Sequence, residues 1–283
     1  MSLQTLDTGF FKLDGGAMFG VVPKPLWQRL NPADEQNRCT WAMRCLLYEA
    51  GNRLLVVDTG IGDKQDAKFF GHYDLHRGDG PGDATLLGSI REAGYSEKDV
   101  TDVLLTHLHF DHVGGAVKRS NEALLPVFAN ATYWVHPAHW QWAVNPNPRE
   151  KASFLRENIL PLQESGQLTF LTEKPFPFAD IELLYVDGHT EKMALPIFHI
   201  NGRTVAYMAD LIPSSGHIPL PYIMSYDMRP LLTMEEKTQV LQKAAAENWI
   251  LVFEHDPVVE AATVEMTERG ARLKETGKLK ELL

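Results

Sequence analysis

Thr106-His-Leu-His-Phe-Asp-His112 is the stretch on which the reading of this chain turns. His107, His109, Asp111 and His112 place three imidazoles and a carboxylate within six positions. Packing gives no reason for such a run, because burying polar and titratable groups without partners is costly. On an extended segment alternate side chains share a face, so His107 and His109 can reach one ion. Asp111 and His112 can serve a second, and paired-metal hydrolases hold their ions about 3.5–4 Å apart. Gly114-Gly115 then lets the chain turn sharply and start a helix.

Outward from the motif, three more ligand-type residues end apolar strands. His189 stands in Val186-Asp-Gly-His-Thr190, Asp210 closes Val205-Ala-Tyr-Met-Ala-Asp210, and His255 closes Ile250-Leu-Val-Phe-Glu-His255. A strand end places a ligand rigidly. The candidate set is therefore five His and two Asp, with no Cys. Imidazole suits zinc, iron, nickel and copper, and carboxylate widens the choice to manganese. Two zinc ions per chain are expected, with iron and manganese left open.

Strands are expected at 3–13, 46–50, 54–58, 100–106, 132–136, 168–171, 181–186, 194–200, 204–209 and 249–253, with a Gly51-Asn52 hairpin turn between the second and third. Helices are expected at 84–93, at 148–166 with a break near Pro161, and at 235–247. Residues 61–83 hold five Gly and two His and read as a long exposed loop. Several strands followed by helices in each half suit two sheets with helices outside, rather than strict β-α alternation. With ligands in both halves, one domain over 1–283 is expected.

The bulk numbers are those of a folded chain: 283 residues, 44% hydrophobic and 23% charged. Cys39 and Cys45 are too few for a disulfide framework and read as reduced, partly buried thiols. A net charge of −10 disfavours a nucleic-acid partner. Arg272-Leu-Lys-Glu-Thr-Gly-Lys-Leu-Lys280 reads as a solvated amphipathic end. No stretch approaches the roughly 18 apolar residues of a membrane helix, and no signal peptide is legible, so no membrane partner and a cytoplasmic location are expected. A homodimer stays open.

The motif, with Gly188-His-Thr190, Asp210, His255 and Asp58-Thr-Gly60, resembles the metallo-β-lactamase superfamily. Asp14-Gly-Gly-Ala-Met-Phe-Gly-Val-Val-Pro-Lys24 is similar to the N-terminal loop of its branch of quorum-quenching N-acyl-homoserine lactonases and methyl parathion hydrolase-like enzymes. The resemblance implies an α+β fold, the four-layer αββα sandwich. It implies one metal on His107, His109 and His189, the other on Asp111, His112 and His255, and Asp210 bridging. The lactonases carry a Tyr soon after the bridging Asp. Here Leu211-Ile-Pro-Ser-Ser-Gly-His217 has none, so His217, Tyr222 or Tyr226 is expected to take its place.

The implied reaction is hydrolysis of a lactone or ester in a small molecule by a metal-bridging hydroxide, with Asp111 moving the proton. Asp58 is expected to accept from the remote N–H of a ligand histidine. Met18 and Phe19 are candidates for an apolar substrate pocket. His72 and His76 read as solvated, His136 and His139 as structural, His199 as a core histidine, and Trp134, Trp140 and Trp142 as core or pocket wall. The rival readings are a phosphotriesterase or aryl-esterase on the same site, a thioesterase of the glyoxalase II type, and a mononuclear iron sulfur dioxygenase.

Overall fold

A computed structural model describes residues 1–77 and 85–283. The end of the expected 61–83 loop and Ala84 of the expected helix lie outside the described residues. The chain forms two compact units, Met1–Gly9 with Met43–Phe178, and Phe10–Ala42 with Ala179–Leu283. Their boundaries fall inside strands β1 (Ser2–Asp14) and β2 (Arg38–Ala50).

In the first unit β2 turns at Gly51-Asn52 and returns antiparallel as β3 (Arg53–Val57), pairing Leu46 with Val57. The expected hairpin is there, and β2 is longer than expected. β4 (Asp102–Leu104) then pairs parallel with β3. After a small hairpin, β5 (Val117–Ser120) with β6 (Ala123–Pro126), the sheet continues in parallel through β7 (Thr132–Val135) and β8 (Leu168–Phe170). The order is β1-β2-β3-β4-β7-β8. Parallel neighbours need crossovers, and the helices Leu86–Glu92, Pro137–Val144 and Arg156–Glu164 lie in them. Val56, Val103, Leu105 and Tyr133 join Ile90, Trp140, Ile159 and Leu162 in one buried cluster. Each large aliphatic there contributes about 1.5–3 kcal/mol of burial.

The second unit adds β9 (Ile181–Val186), β10 (Met193–Ile200), β11 (Arg203–Tyr207), β12 (Ile250–Val252), β13 (Ala261–Thr267) and β14 (Gly270–Gly277), in sheet order β14-β13-β12-β11-β10-β9. The helix Pro230–Glu247 packs on β13. It buries Thr233, Lys237, Val240, Leu241 and Ala244, a helical stripe, and stops at Asn248 in the left-handed conformation. Both units combine mixed sheets with helices, the expected α+β class. No helix among the described residues is long and apolar enough to cross a membrane.

Three expectations are corrected. His199 is not a core histidine: strand alternation buries Phe198 and Ile200 and turns the His199 side chain outward, 51% exposed, near Thr204 and Glu182. The 272–280 tail is solvated and amphipathic as expected, with Arg272, Lys274, Glu275, Lys278 and Lys280 exposed and Leu279 buried, and its residues through Gly277 form β14, with Leu273 opposite Val264 in register. The helix within 148–166 starts only at Arg156 and runs through Pro161. The helix Ala67–His72 occupies part of the expected loop, capped by Asp66, while His72 and His76 are exposed as expected. Cys39 and Cys45 are free and fully buried.

Candidate metal centre

In the first unit the motif follows β4 without continuing it. His107 and His109 lie in a loop, and His109 caps the short helix Phe110–Val113 that holds Asp111 and His112. The His107 ring centroid is 4.5 Å from that of His109 and 3.9 Å from that of His112. All four candidate ligands are buried. Gly114 and Gly115 start only a single 3-10 turn, Gly114–Ala116, directly after the helix Phe110–Val113. Their lack of a side chain serves a close approach instead. A Cβ at Gly114 would collide with the Ile61 carbonyl, and one at Gly115 with the Thr59 carbonyl.

That approach locks the motif to the Asp58–Gly60 turn. Thr59 donates from its N–H (2.7 Å) and its hydroxyl (2.8 Å) to the His112 carbonyl. Asp58, buried and at φ +55°, accepts from the Thr106 N–H (2.8 Å) and hydroxyl (2.6 Å), and faces His112 Nδ1 at 3.2 Å. The residue expected to orient a ligand histidine thus lies against one.

In the second unit β9, β11 and β12 each run out just before a candidate ligand. Asp210 lies between two imidazoles, with Oδ2 3.1 Å from His189 Nε2 and Oδ1 3.0 Å from His255 Nε2. His189 Nδ1 is 2.8 Å from the buried Asp227 carboxylate, and His255 Nδ1 is 2.7 Å from the Ala42 carbonyl.

These bonds assign the histidine tautomers. Carbonyl and carboxylate oxygens only accept, so the Nδ1–H groups of His112, His189 and His255 point to Asp58, Asp227 and Ala42. The Thr106 hydroxyl gives its proton to Asp58 and is left to accept from His107 Nδ1 at 3.1 Å. His109 Nε2 faces Glu150 at 3.4 Å. In each neutral ring the other nitrogen then carries a lone pair. His107 Nε2 and His109 Nδ1 turn lone pairs on each other at 3.1 Å, and His189 and His255 turn theirs on Asp210. Acceptors that close repel unless a proton or a cation stands between them. Burial would lower the His189 pKa, yet the Asp210 and Asp227 carboxylates outweigh it and raise it to about 10. The donor set fits divalent cations in both units.

Among the other expected residues, Met18 and Phe19 are buried rather than lining an open wall. Phe19 is stacked between Trp27 (centroids 5.4 Å apart) and His217 (4.4 Å). Gly20, which follows the helical residues at φ +57°, lets the chain pass under the Ile223 carbonyl. His217 has both nitrogens engaged, Nδ1 with the Ser214 hydroxyl at 2.7 Å and Nε2 with the Met18 carbonyl at 2.9 Å. Burial pushes its pKa down to about 3. It therefore stays neutral and tethers Met18 and Phe19 at the end of the short helix Gly15–Phe19, where a loop is expected from the sequence. Tyr222 meets Phe19 edge-on, and Tyr226 is 37% exposed. His136 caps a helix, and His139 accepts from the Leu108 N–H at 2.9 Å. Trp134 and Trp140 are core, while Trp142 donates to Glu150 at 2.6 Å. Sequence reasoning missed Glu150, Asp227 and Lys237, which are single charged residues outside any motif.

Comparison with known proteins adds the family. Residues 44–255 match the family described as the metallo-beta-lactamase superfamily. A probable metallo-hydrolase of Mycobacterium tuberculosis is 26% identical over 272 residues, 85% of each chain. The structure of a probable metal-dependent hydrolase from Staphylococcus aureus superposes with a TM-score of 0.87 at 26% identity, covering 98% of this chain and 96% of that one. AidC, a dizinc quorum-quenching lactonase in complex with a product, gives a TM-score of 0.77 at 22% identity, with 98% and 95% covered. The match spans the motif, Gly188-His-Thr190, Asp210 and His255, and with it the chain belongs to the metallo-β-lactamase superfamily and has its fold.

Proposed function

We propose that this protein is a dinuclear metal-dependent hydrolase that opens a lactone or ester bond in a small molecule. In this reading His107, His109, Asp111 and His112 act together with His189, Asp210 and His255 as one centre for two zinc ions, and residues 1–283 work as a single hydrolase domain. The observation that carries it is the tautomer pattern: buried histidines give their N–H groups away from the centre and turn lone pairs on other acceptors. The likeness to a dizinc lactonase and the Gly-Gly-Ala-Met-Phe-Gly loop favour a lactone within that class.

When bound, paired ions supply Lewis acidity and a water acidic enough to ionise near neutral pH. The chain's own residues do the rest. Asp58, Glu150 and Asp227 hold the imidazoles of His112, His109 and His189 in one tautomer and one orientation. Asp111, at the start of its short helix, accepts the proton of the attacking water and returns it to the leaving group. His217 fixes Met18 and Phe19 beside the substrate and stays neutral with its N–H held by the Met18 carbonyl, which leaves Tyr222 and Tyr226 as the leaving-group contacts to test.

A hydrolysis panel on zinc-loaded protein tests the reading, with N-acyl-homoserine lactones, simple aryl esters and paraoxon side by side. Turnover of lactone or ester is expected. Turnover of paraoxon alone would overturn the substrate class. One iron and no zinc per chain would overturn the dinuclear hydrolase itself.

A further inference from the structure

Lys237 is buried on the packed face of the helix Pro230–Glu247, among Thr233, Val240, Leu241 and Ala244. An aliphatic side chain would satisfy that face, and a buried ammonium is costly unless its donors are met. They are met by one segment. Nζ donates to the carbonyls of Pro219 (2.9 Å), Tyr222 (3.1 Å) and Leu220 (3.4 Å), three acceptors for three N–H bonds.

The segment so held runs from Asp210 to the helix, and it is also pinned at Pro213, whose carbonyl accepts from the His255 N–H, at Ser215, which donates to Asp256, and at His217, which meets the Met18 carbonyl. Ser225 N–H donates to the Ala17 carbonyl (2.8 Å), and Asp227 N–H to the Met224 carbonyl (3.2 Å). Asp227 then takes His189 Nδ1 at 2.8 Å, while Met228 N–H donates to the His189 carbonyl (3.0 Å) and Arg229 N–H to the Gly188 carbonyl (2.8 Å). One helical turn before Lys237, Thr233 crowds Gly188. Glu236 accepts the N–H groups of Asp187 (2.7 Å) and Gly188 (3.0 Å). The two loops that meet at His189 are thus both fastened to the first half of this helix. Burial draws the Lys237 pKa down to about 7, with the Asp227 carboxylate opposing the shift.

We propose that Lys237 is a positioning residue for the metal site: by holding the 219–222 carbonyls it holds Asp227 against His189, and so sets how tightly the ion on His189 is bound. This rests on the metal-centre reading. Lys237 touches no candidate ligand, and the route proposed for its effect on metal affinity is through Asp227.

Zinc affinity, measured by competition with a chromophoric chelator on folded protein, tests this in four proteins: wild type, Asp227→Asn, Lys237→Met and the double variant. Asp227→Asn is expected to weaken one of two ions about 10–100-fold. Lys237→Met is expected to weaken the same ion, and the double variant no more than Asp227→Asn alone, since coupled residues are not additive. Should the Met variant not fold, Lys237→Gln, which keeps two donors, supplies the same reading. A lowered melting temperature with wild-type zinc affinity would make Lys237 merely structural and overturn the proposal, as would losses that multiply in the double variant. Wild-type protein that binds no zinc would instead sink the metal-centre reading.

Discussion

His255 donates its Nδ1–H to the carbonyl oxygen of Ala42, 2.7 Å away, and that bond leaves Nε2 as a lone pair 3.0 Å from Asp210 Oδ1. The backbone on both sides of this bond is held as well, with the His255 N–H bonded to the Pro213 carbonyl at 2.9 Å and the Ala42 N–H to the His255 carbonyl at 3.1 Å. The geometry is set for a cation before one arrives.

The first prediction follows from that. Chelation should lower the melting temperature, and zinc should restore it, because a ligand bound only by the native state stabilises by about 2.7 kcal/mol at a hundred times its Kd. Metal uptake at pH 8 should also release protons. His189, raised to about 10, holds a proton there in the metal-free protein and must lose it to coordinate. Calorimetry in two buffers of different ionisation enthalpy measures the release. Metal binding with no proton released would show that His189 is already neutral, with its Nε2 lone pair available, before the ion binds.

How much of this was readable beforehand depends on what each residue's signal is. The seven candidate ligands are legible because their types cluster or end apolar strands, and β1, β3, β4, β9 and β10 are legible from their apolar runs. Glu150 and Asp227 are not, since a lone carboxylate in a turn-rich stretch looks like any solvated one until the fold buries it against an imidazole. Lys237 is hidden for the opposite reason: its position on a helix surface reads as a charged rim, and only the packing of that face on β13 shows it inside. His199 misled because an apolar strand says which residues are buried only once alternation is phased by its partners. The glycine pair was read for flexibility, while its use is contact.

Glu150 ties three groups together: Trp142 Nε1 and Asn147 Nδ2, each 2.6 Å from Oε2, and His109 Nε2 at 3.4 Å from Oε1. Glu150→Gln keeps the shape and removes the charge that orients His109. It should cost about tenfold in metal affinity, with a smaller loss of stability, about 1–2 kcal/mol for the weakened bonds. Metal analysis after dialysis against a buffered chelator, beside a thermal melt, checks both. Unchanged metal retention would show that His109 is held by packing on Phe154 instead.

Gly115→Ala tests whether the close approach to Thr59 matters to the site or only to the fold. The added methyl must displace the Thr59 carbonyl, and with it the turn that carries Asp58. Overpacking of this kind costs about 1–3 kcal/mol, and Asp58 should move away from His112 Nδ1, so metal retention should fall with stability. A variant that melts lower yet keeps full metal content would separate the two roles.

His217 gives the pH prediction. Its folded pKa, about 3, lies below the ordinary imidazole value of 6.5 because burial opposes the charged form. Between these values the unfolded chain binds the proton that the folded one refuses. Stability from this group is therefore full above pH 6.5 and is lost as pH falls towards 3, amounting to about 2 kcal/mol at pH 5. His217→Gln should flatten that part of the acid limb, measured as the difference in unfolding free energy between pH 7 and pH 5 for the two proteins. It should leave the shape of the rate-against-pH profile unchanged, because a histidine with both nitrogens engaged takes no part in proton transfer. An ionisation that disappears from that profile with the substitution would return His217 to the catalytic machinery.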